Sequence, residues 1–439
     1  MMAETAARVQ EAAAFASRGH EVKPGEIVVG VIIGRASEFF DFFVYAVASV
    51  VVFPRLVFPH ESPLTGTLLS FAIFSLAFIA RPFGTGLFMA VDRHQGRGVK
   101  MTIALVMLGT STVAIAFLPG YDDIGVAAVW LLALARIGQG LAQGGTWDGL
   151  ASLLAVNAPH GKRGWYAMLP QLGAPIGLIV ASLLFAFFVA NLSAEDFFNW
   201  GWRYPFFVAF AINVVALFAR LRIVQTPGYK EQFEKQELEA SGVFETLERE
   251  APNVAIGAFI PLASFALFHM VTVFPLSWVF LFTHEGPARF LVIEAAAGLV
   301  FCIIAIIASG IIADRIGRNR LLAGSAVAIA AFSGFAPQLL SAGLWGEIAY
   351  MVLGFILLGL SFGQSSGSIA PRFSRELRYT GSAITTDFAW LVGAAFAPLV
   401  ALVLSSHFGL ISAGAYLLSG AVCTLLALWA TAHPGDKSD

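Results

Sequence analysis

The chain has 439 residues, 58% of them hydrophobic and only 12% charged, with 40 phenylalanines, a mean hydropathy of +0.79 and a formal net charge of −2. Such a composition lies far outside that of soluble globular proteins and reads as an integral membrane protein in a lipid bilayer. The loops offer no nucleotide loop, metal cluster or nucleophile constellation, so an enzyme, a cofactor, a metal site and a nucleic-acid partner are all unexpected.

Residues 1–26 lack the short apolar core and small-residue cleavage site of a signal peptide, and read as a polar, Ala-rich cytoplasmic segment. Twelve stretches then follow that are long and apolar enough to span a bilayer, which takes about 20 residues. They are 27–53, 65–91, 100–119, 126–156, 165–190 and 204–223, then 254–283, 290–313, 321–341, 347–371, 381–405 and 409–431. The first contains "GRASEFFDFFVY", which sets Arg35, Glu38 and Asp41 in a Phe-rich run. Between the sixth and seventh lies "GYKEQFEKQELEASGVFETLEREAPN", the longest and most charged internal segment. The predicted organisation is therefore an all-α polytopic protein: a cytoplasmic segment 1–26, a six-helix bundle 27–223, a cytoplasmic linker 224–253, a second six-helix bundle 254–431 and a cytoplasmic tail 432–439. Cys302 and Cys423 sit in apolar segments and read as small buried hydrophobes rather than a disulfide or metal site.

Lys and Arg favour the cytoplasmic side of a membrane. With the N-terminus inside, most of them, Arg220 and Arg222 at the inner end of the sixth span included, fall on that side, while the outer loops hold just Arg55, Arg203 and Arg289. Both termini are thus predicted to be cytoplasmic. Arg35, Arg81 and Arg136 are left inside spans.

The loop after the second span reads "VDRHQGRG", with Asp92, Arg93, Gly96 and Arg97. The loop after the eighth reads "GIIADRIGRNR", with Gly310, Asp314, Arg315, Gly317 and Arg318. One copy per half at corresponding places is a transporter signature, with the substrate site expected between the halves near the midplane. Locally, Gly310 permits close helix approach, Asp314 can accept hydrogen bonds at a helix end, and the arginines anchor the inner surface. Together they form a cytoplasmic gate that latches one conformation shut.

These residues resemble the signature G-x-x-x-D-R-x-G-R of the major facilitator superfamily. The second copy matches in full; the first has one extra residue and Phe88 in place of the leading Gly. Within the superfamily the chain resembles the metabolite:proton symporters, on "SEFFDFFVY", "ARPFG", "RIGQGLAQGGTWDG", "APHGKRGW" and "GWRYPF". The resemblance implies the major facilitator fold, twelve helices in two six-helix halves, and proton-coupled import of a small metabolite across a bacterial inner (plasma) membrane, with no partner beyond substrate, protons and lipid and a monomer as the working unit. The family usually has acids where this chain has Thr146 and Asn157. Asp148 is no positional substitute for the first, because two residues on a helix are about 200° apart.

At 1.5 Å per residue, Glu38 lies roughly 16 Å and Asp41 roughly 21 Å from the inner end of the first span. Gly34, Glu38, Asp41 and Tyr45 share one helical face, and charges at such depth mark ion or substrate pathways. Asp41, Glu38 and Arg136 are the candidate proton-coupling residues, Arg136 through its resemblance to a fourth-span R-x-x-Q-G element. A static Arg35–Glu38 pair is the plainer alternative for Glu38. Arg81 is a candidate ligand for a substrate carboxylate, supported by the "RPFG" resemblance, or else a permanent partner of Asp41. Tyr45, Gln171, His269, Gln364, Ser365 and Trp390 complete the candidate substrate site. Asp148 and Asp387, nearer the inner face, are expected in the gate. "QLGAPIG" (171–177) reads as close packing and flexure.

Three mid-membrane arginines favour a carboxylate substrate for a symporter working by alternating access. A zwitterionic osmolyte such as a betaine or proline, and a proton-driven efflux antiporter, are the alternatives.

Overall fold

The computed structural model describes residues 24–146, 149, 154, 158–224, 239–283 and 286–431. Twelve long helical segments run in chain order: α1 Pro24–Val51, α2 Pro63–Gln95, α3 Arg97–Ala116, α4 Ala127–Gly145, α5 Arg163–Asn191, α6 Tyr204–Val224, α7 Leu262–Phe282, α8 Pro287–Ile316, α9 Arg318–Ser333, α10 Gly343–Arg372, α11 Arg378–Phe408 and α12 Leu410–Thr431. Among the described residues nine helices are long and apolar enough to cross a membrane. The other three of the twelve are α1, with three ionisable residues in its middle, α4, with Arg136 and two glutamines, and α9, of 16 residues.

Helix starts and interruptions follow from local chemistry. Ser62 caps α2 by accepting from Thr65 N at 3.1 Å, with Pro63 in the first helical position, where its missing N–H is harmless. Pro82 inside α2 removes one ladder hydrogen bond beside Arg81. Helix α7 breaks at Val273, ahead of Pro275, and α10 loosens into 3₁₀ turns after Phe362. A π-turn over Gly298–Cys302 interrupts α8. The reading of "QLGAPIG" as close packing matches its geometry: a Cβ on Gly173 would lie 2.7 Å from Ala36 N, and one on Gly177 2.6 Å from Phe40 N, so α5 lies directly against α1.

Both Asp-Arg loops are built alike. Gly96 ends α2 with φ 86° and Gly317 ends α8 with φ 91°, left-handed conformations that favour glycine. The end of the bundle holding these loops is called here the motif end. Of the predicted linker, 225–238 fall outside the described residues, and Val243–Phe259 forms a helix kinked at Glu250. The tail 432–439 and Asp148 also fall outside them. The halves meet along α5 with α8 and α2 with α11.

Candidate functional site: a basic cavity beside a buried carboxylate network

A cavity with about 670 Å³ of empty space, its solvent-open part included, lies between α1, α2, α4, α6 and α11. Its polar lining is Arg35, Glu38, Arg81, Gln143, Thr146 and Arg220; its apolar wall is Phe39, Phe42, Phe78 and Trp390.

Glu38 is held from two sides, by Arg35 Nη1 at 2.6 Å and Arg220 Nη2 at 2.5 Å. Arg220 also donates to Gly34 O and Thr146 O, both at 3.0 Å. The static Arg35–Glu38 pair therefore exists, with a second arginine that the sequence reading had placed among the loop bases. Arg220 is instead a buried residue of α6. Truncating Glu38 removes a carboxylate shared by two arginines, one of them buried, and breaking such a contact is destabilising. Glu38→Gln is accordingly expected to lower the thermal unfolding temperature of the purified protein markedly, whereas Arg35→Gln, which leaves Arg220 in place, lowers it less.

Arg81 does not pair with Asp41. Its Nε lies 2.6 Å from Asp387 Oδ1 on α11, an ion pair by distance in which the N–H is not aimed at the oxygen. Thr85 Oγ1 donates to the other oxygen of Asp387 in a short hydrogen bond. Among the described residues nothing accepts from Nη1 or Nη2 of Arg81, which lines the cavity. Asp387, expected in the gate, is a buried partner of the cavity arginine, reaching from one half to the other. The distance of a residue from a span end says nothing about what faces it, so this partner was not readable from depth.

Asp41 sits deeper in the first half, 1% exposed. Its Oδ1 accepts from Thr112 Oγ1 at 2.5 Å and Asn213 Nδ2 at 3.2 Å, and its Oδ2 from Gln139 Nε2 at 3.4 Å. Gln139 in turn accepts from Arg136 Nη1 at 3.0 Å. Arg136 also donates from Nε to Phe74 O and stands 4.0 Å over the Tyr45 ring. Asp41 and Arg136 are therefore joined through one amide, with no direct ion pair between them.

Of the substrate-site candidates, only Arg81 and Trp390 line the cavity. His269 lies behind its wall, stacked on Phe42 with ring centroids 5.3 Å apart, its Nδ1 donating to Ala394 O at 2.6 Å. Tyr45 and Gln171 are buried away from it. Gln364 and Ser365 are corrected to the motif end: Gln364 Nε2 donates to Gly164 O at 3.0 Å and its Oε1 accepts from Arg318 Nε, while Ser365 bonds back to Phe362 O. Counted from Gly343, where α10 begins, they lie about 30 Å along it, at its far end rather than its middle.

At the motif end the two copies differ. Asp314 accepts from the N–H groups of Gly164 at 2.6 Å and Trp165 at 3.2 Å, at the N-terminus of α5, where an anion is favoured. A Cβ on Gly310 would come within 3.1 Å of Trp165 Cα, so Gly310 is the close-approach residue. Asp92 instead holds Arg97 at 3.1 Å and Lys100 at 3.5 Å, and Lys100 donates to Tyr379 OH of α11 at 2.7 Å. Arg93 and Arg315 are exposed. Removing Asp314 orphans two N–H groups at the helix start, worth about 0.5–2 kcal/mol as a cap. Asp314→Ala is expected to open the motif end, read as faster maleimide labelling of a cysteine introduced at Ala167.

The residues at 32–398 match the family described as the Major Facilitator Superfamily. The chain belongs to that superfamily. Membership makes it a membrane transporter and not an enzyme. It is 36% identical over 421 residues to the inner membrane metabolite transport protein YhjE of Escherichia coli (strain K12), spanning 94% of this chain and 95% of that one. The shikimate transporter of the same organism is 29% identical, with 92% of each chain covered, and a putative proline/betaine transporter of Staphylococcus haemolyticus is 28% identical, with 88% of this chain and 83% of that one covered. A solved structure of the Escherichia coli xylose transporter XylE, in a partially occluded inward open conformation, superposes with a TM-score of 0.70 at 16% identity over 94% of this chain and 98% of that one. That likeness carries the twelve-helix fold of this facilitator.

Thr112, Gln139, Asn213, Lys100 and Tyr379 were not singled out from the sequence. Gln139 had a signal, being the Gln of "RIGQG"; single neutral polar residues in apolar helices carry none.

Proposed function

We propose that this facilitator imports a small organic acid together with protons, with substrate held in the basic cavity and a proton on Asp41. The carrying observation is the lining: among the described residues of the cavity wall Arg35, Arg81 and Arg220 stand beside one carboxylate, Glu38, and Arg81, paired through Nε with Asp387, has no described acceptor at its terminal nitrogens. A guanidinium presenting two parallel donors is suited to a carboxylate.

Asp41 suits the proton because neutral donors surround it. Protonating it breaks no direct ion pair, whereas protonating Glu38 would weaken two, so Glu38 is assigned an organising role and Arg136 a supporting one through Gln139. The Arg81–Asp387 pair supplies the substrate step: an incoming carboxylate competes with Asp387 for Arg81, loosening a contact between the halves, and the halves then rock about the site. His269 and Trp390 shape the far wall. The aromatic wall also favours a second reading, a quaternary ammonium or other zwitterion seated on the ring faces, in line with the relative named for proline and betaine. We place the protein in the bacterial inner membrane as a monomer, both termini and the linker cytoplasmic, and the motif end inward.

Uptake of labelled carboxylates and of betaine into proteoliposomes, under an inward proton gradient and then with an uncoupler, tests this. Carboxylate accumulation that the uncoupler abolishes is the expected result. Accumulation no greater than the uncoupled level overturns symport, and selective betaine accumulation overturns the carboxylate.

A further inference from the structure

The seam where α5 meets α8 holds an acid that the transport site does not use. Glu294 is completely buried on α8. Its Oε2 lies 3.0 Å from Ser182 Oγ on α5, so this contact joins the two halves. Its Oε1 is buried without any partner. About 20 residues of α8, roughly 30 Å, separate it from Asp314, which puts it at the end opposite the motif loops. Four residues further along α8 begins the π-turn Gly298–Cys302, a helix irregularity that recurs at functional sites.

Among the described residues the surroundings offer Glu294 no counter-charge. Gly173–Asn191 of α5 and Phe274–Phe282 of α7 contain no ionisable side chain. The facing part of α10 contributes Glu347 and Tyr350, whose hydroxyl donates to Met270 O, and α8 itself has Arg289 and Cys302. None of these bonds to or pairs with Glu294. A carboxylate with one neutral hydrogen bond in an apolar seam is strongly disfavoured by desolvation. A neutral acid fits the same geometry: a proton on Oε2 makes the acid the donor to Ser182 Oγ, and Oε1 is then a carbonyl oxygen with no charge to bury.

We propose that Glu294 is a second proton-binding site, separate from the central cavity, that ties closure of the α5–α8 seam to proton uptake. When the seam is shut the acid is neutral and bonded to Ser182; when it parts, water enters, the O–H bond breaks, the proton leaves to the solvent at that end and the carboxylate is hydrated. Low pH on that side therefore favours the shut seam.

The test needs no substrate, so its outcome is independent of the carboxylate assignment. Ala186 is buried on α5 one turn beyond Ser182. With Cys302 and Cys423 replaced by Ser and Ala186→Cys as reporter, the rate of labelling by a membrane-impermeant maleimide in proteoliposomes is measured from pH 5 to 8 and corrected for the thiolate fraction of a free thiol. The corrected rate is expected to rise with pH, by up to about tenfold per unit for one proton, and Glu294→Gln is expected to be flat at the low-pH rate. Glu294→Asp, which keeps the acid on a shorter stem, is expected to retain the pH dependence with a displaced midpoint. A Gln variant that tracks the parent across pH overturns the proposal. So does an unchanged midpoint in the Asp variant, which decides the matter if the Gln variant does not fold.

Discussion

Asp41→Asn is expected to abolish proton-driven accumulation while leaving exchange across the membrane intact. One pH unit is worth about 1.4 kcal/mol per proton, so with one proton per substrate an inward gradient of one unit sustains up to tenfold accumulation in the parent. The variant should equilibrate at about onefold. The amide keeps an oxygen to accept from Thr112, and it mimics the neutral acid in shape, so the network of Thr112, Gln139 and Asn213 keeps its packing. Counterflow of labelled substrate against unlabelled substrate separates the two roles: it should run at near-parental rates. Accumulation that survives in the variant would remove Asp41 from the coupling step. Arg136→Gln should act in the same direction but also lower stability, since its guanidinium is wholly buried among Tyr45, Phe74 and Gln139.

Arg81→Gln is expected to weaken substrate binding about 10- to 100-fold, as loss of a charge-assisted hydrogen bond of about 1.5–3 kcal/mol implies. Arg81→Lys should recover little, because an ammonium cannot present two parallel donors to a carboxylate. The ion pair with Asp387 makes the companion variant informative. Asp387→Asn removes the internal competitor for Arg81, so substrate affinity should rise while net transport slows, the cross-half contact no longer being restored after release. Binding measured by thermal shift or calorimetry, set beside initial uptake rates, reads the two effects separately. If Asp387→Asn weakens binding as much as Arg81→Gln does, then Asp387 serves the substrate site directly and the competition scheme is wrong.

Helix phase and depth along one chain segment were legible in the sequence because both are local. The alignment of Glu38, Asp41 and Tyr45 on one face of α1 follows from 3.6 residues per turn, and the chemistry of the Asp-Arg loops follows from the left-handed caps that Gly96 and Gly317 supply. Partnership between helices was not legible. Arg81 has an acid at comparable depth on the neighbouring span, which made Asp41 one candidate partner, yet it meets Asp387, about 300 residues away along the chain. Arg220 looked like one more base at the inner edge, yet it turns inward to Glu38. Gln364 looked mid-membrane, yet α10 starts at Gly343, and about 30 Å of helix carries it to the latch.

By itself, the sequence determined a twelve-helix bundle, an internal repeat and a first helix whose charges had to be inside the protein, since each of these follows from length, hydrophobicity and short-range geometry. Only the tertiary structure decided which charge neutralises which, because ion-pair choice in a packed bundle depends on rotations and crossings of helices that no single helix encodes. That is why Asp41 ends with neutral donors, Glu38 with two arginines and Glu294 with a lone serine across the seam.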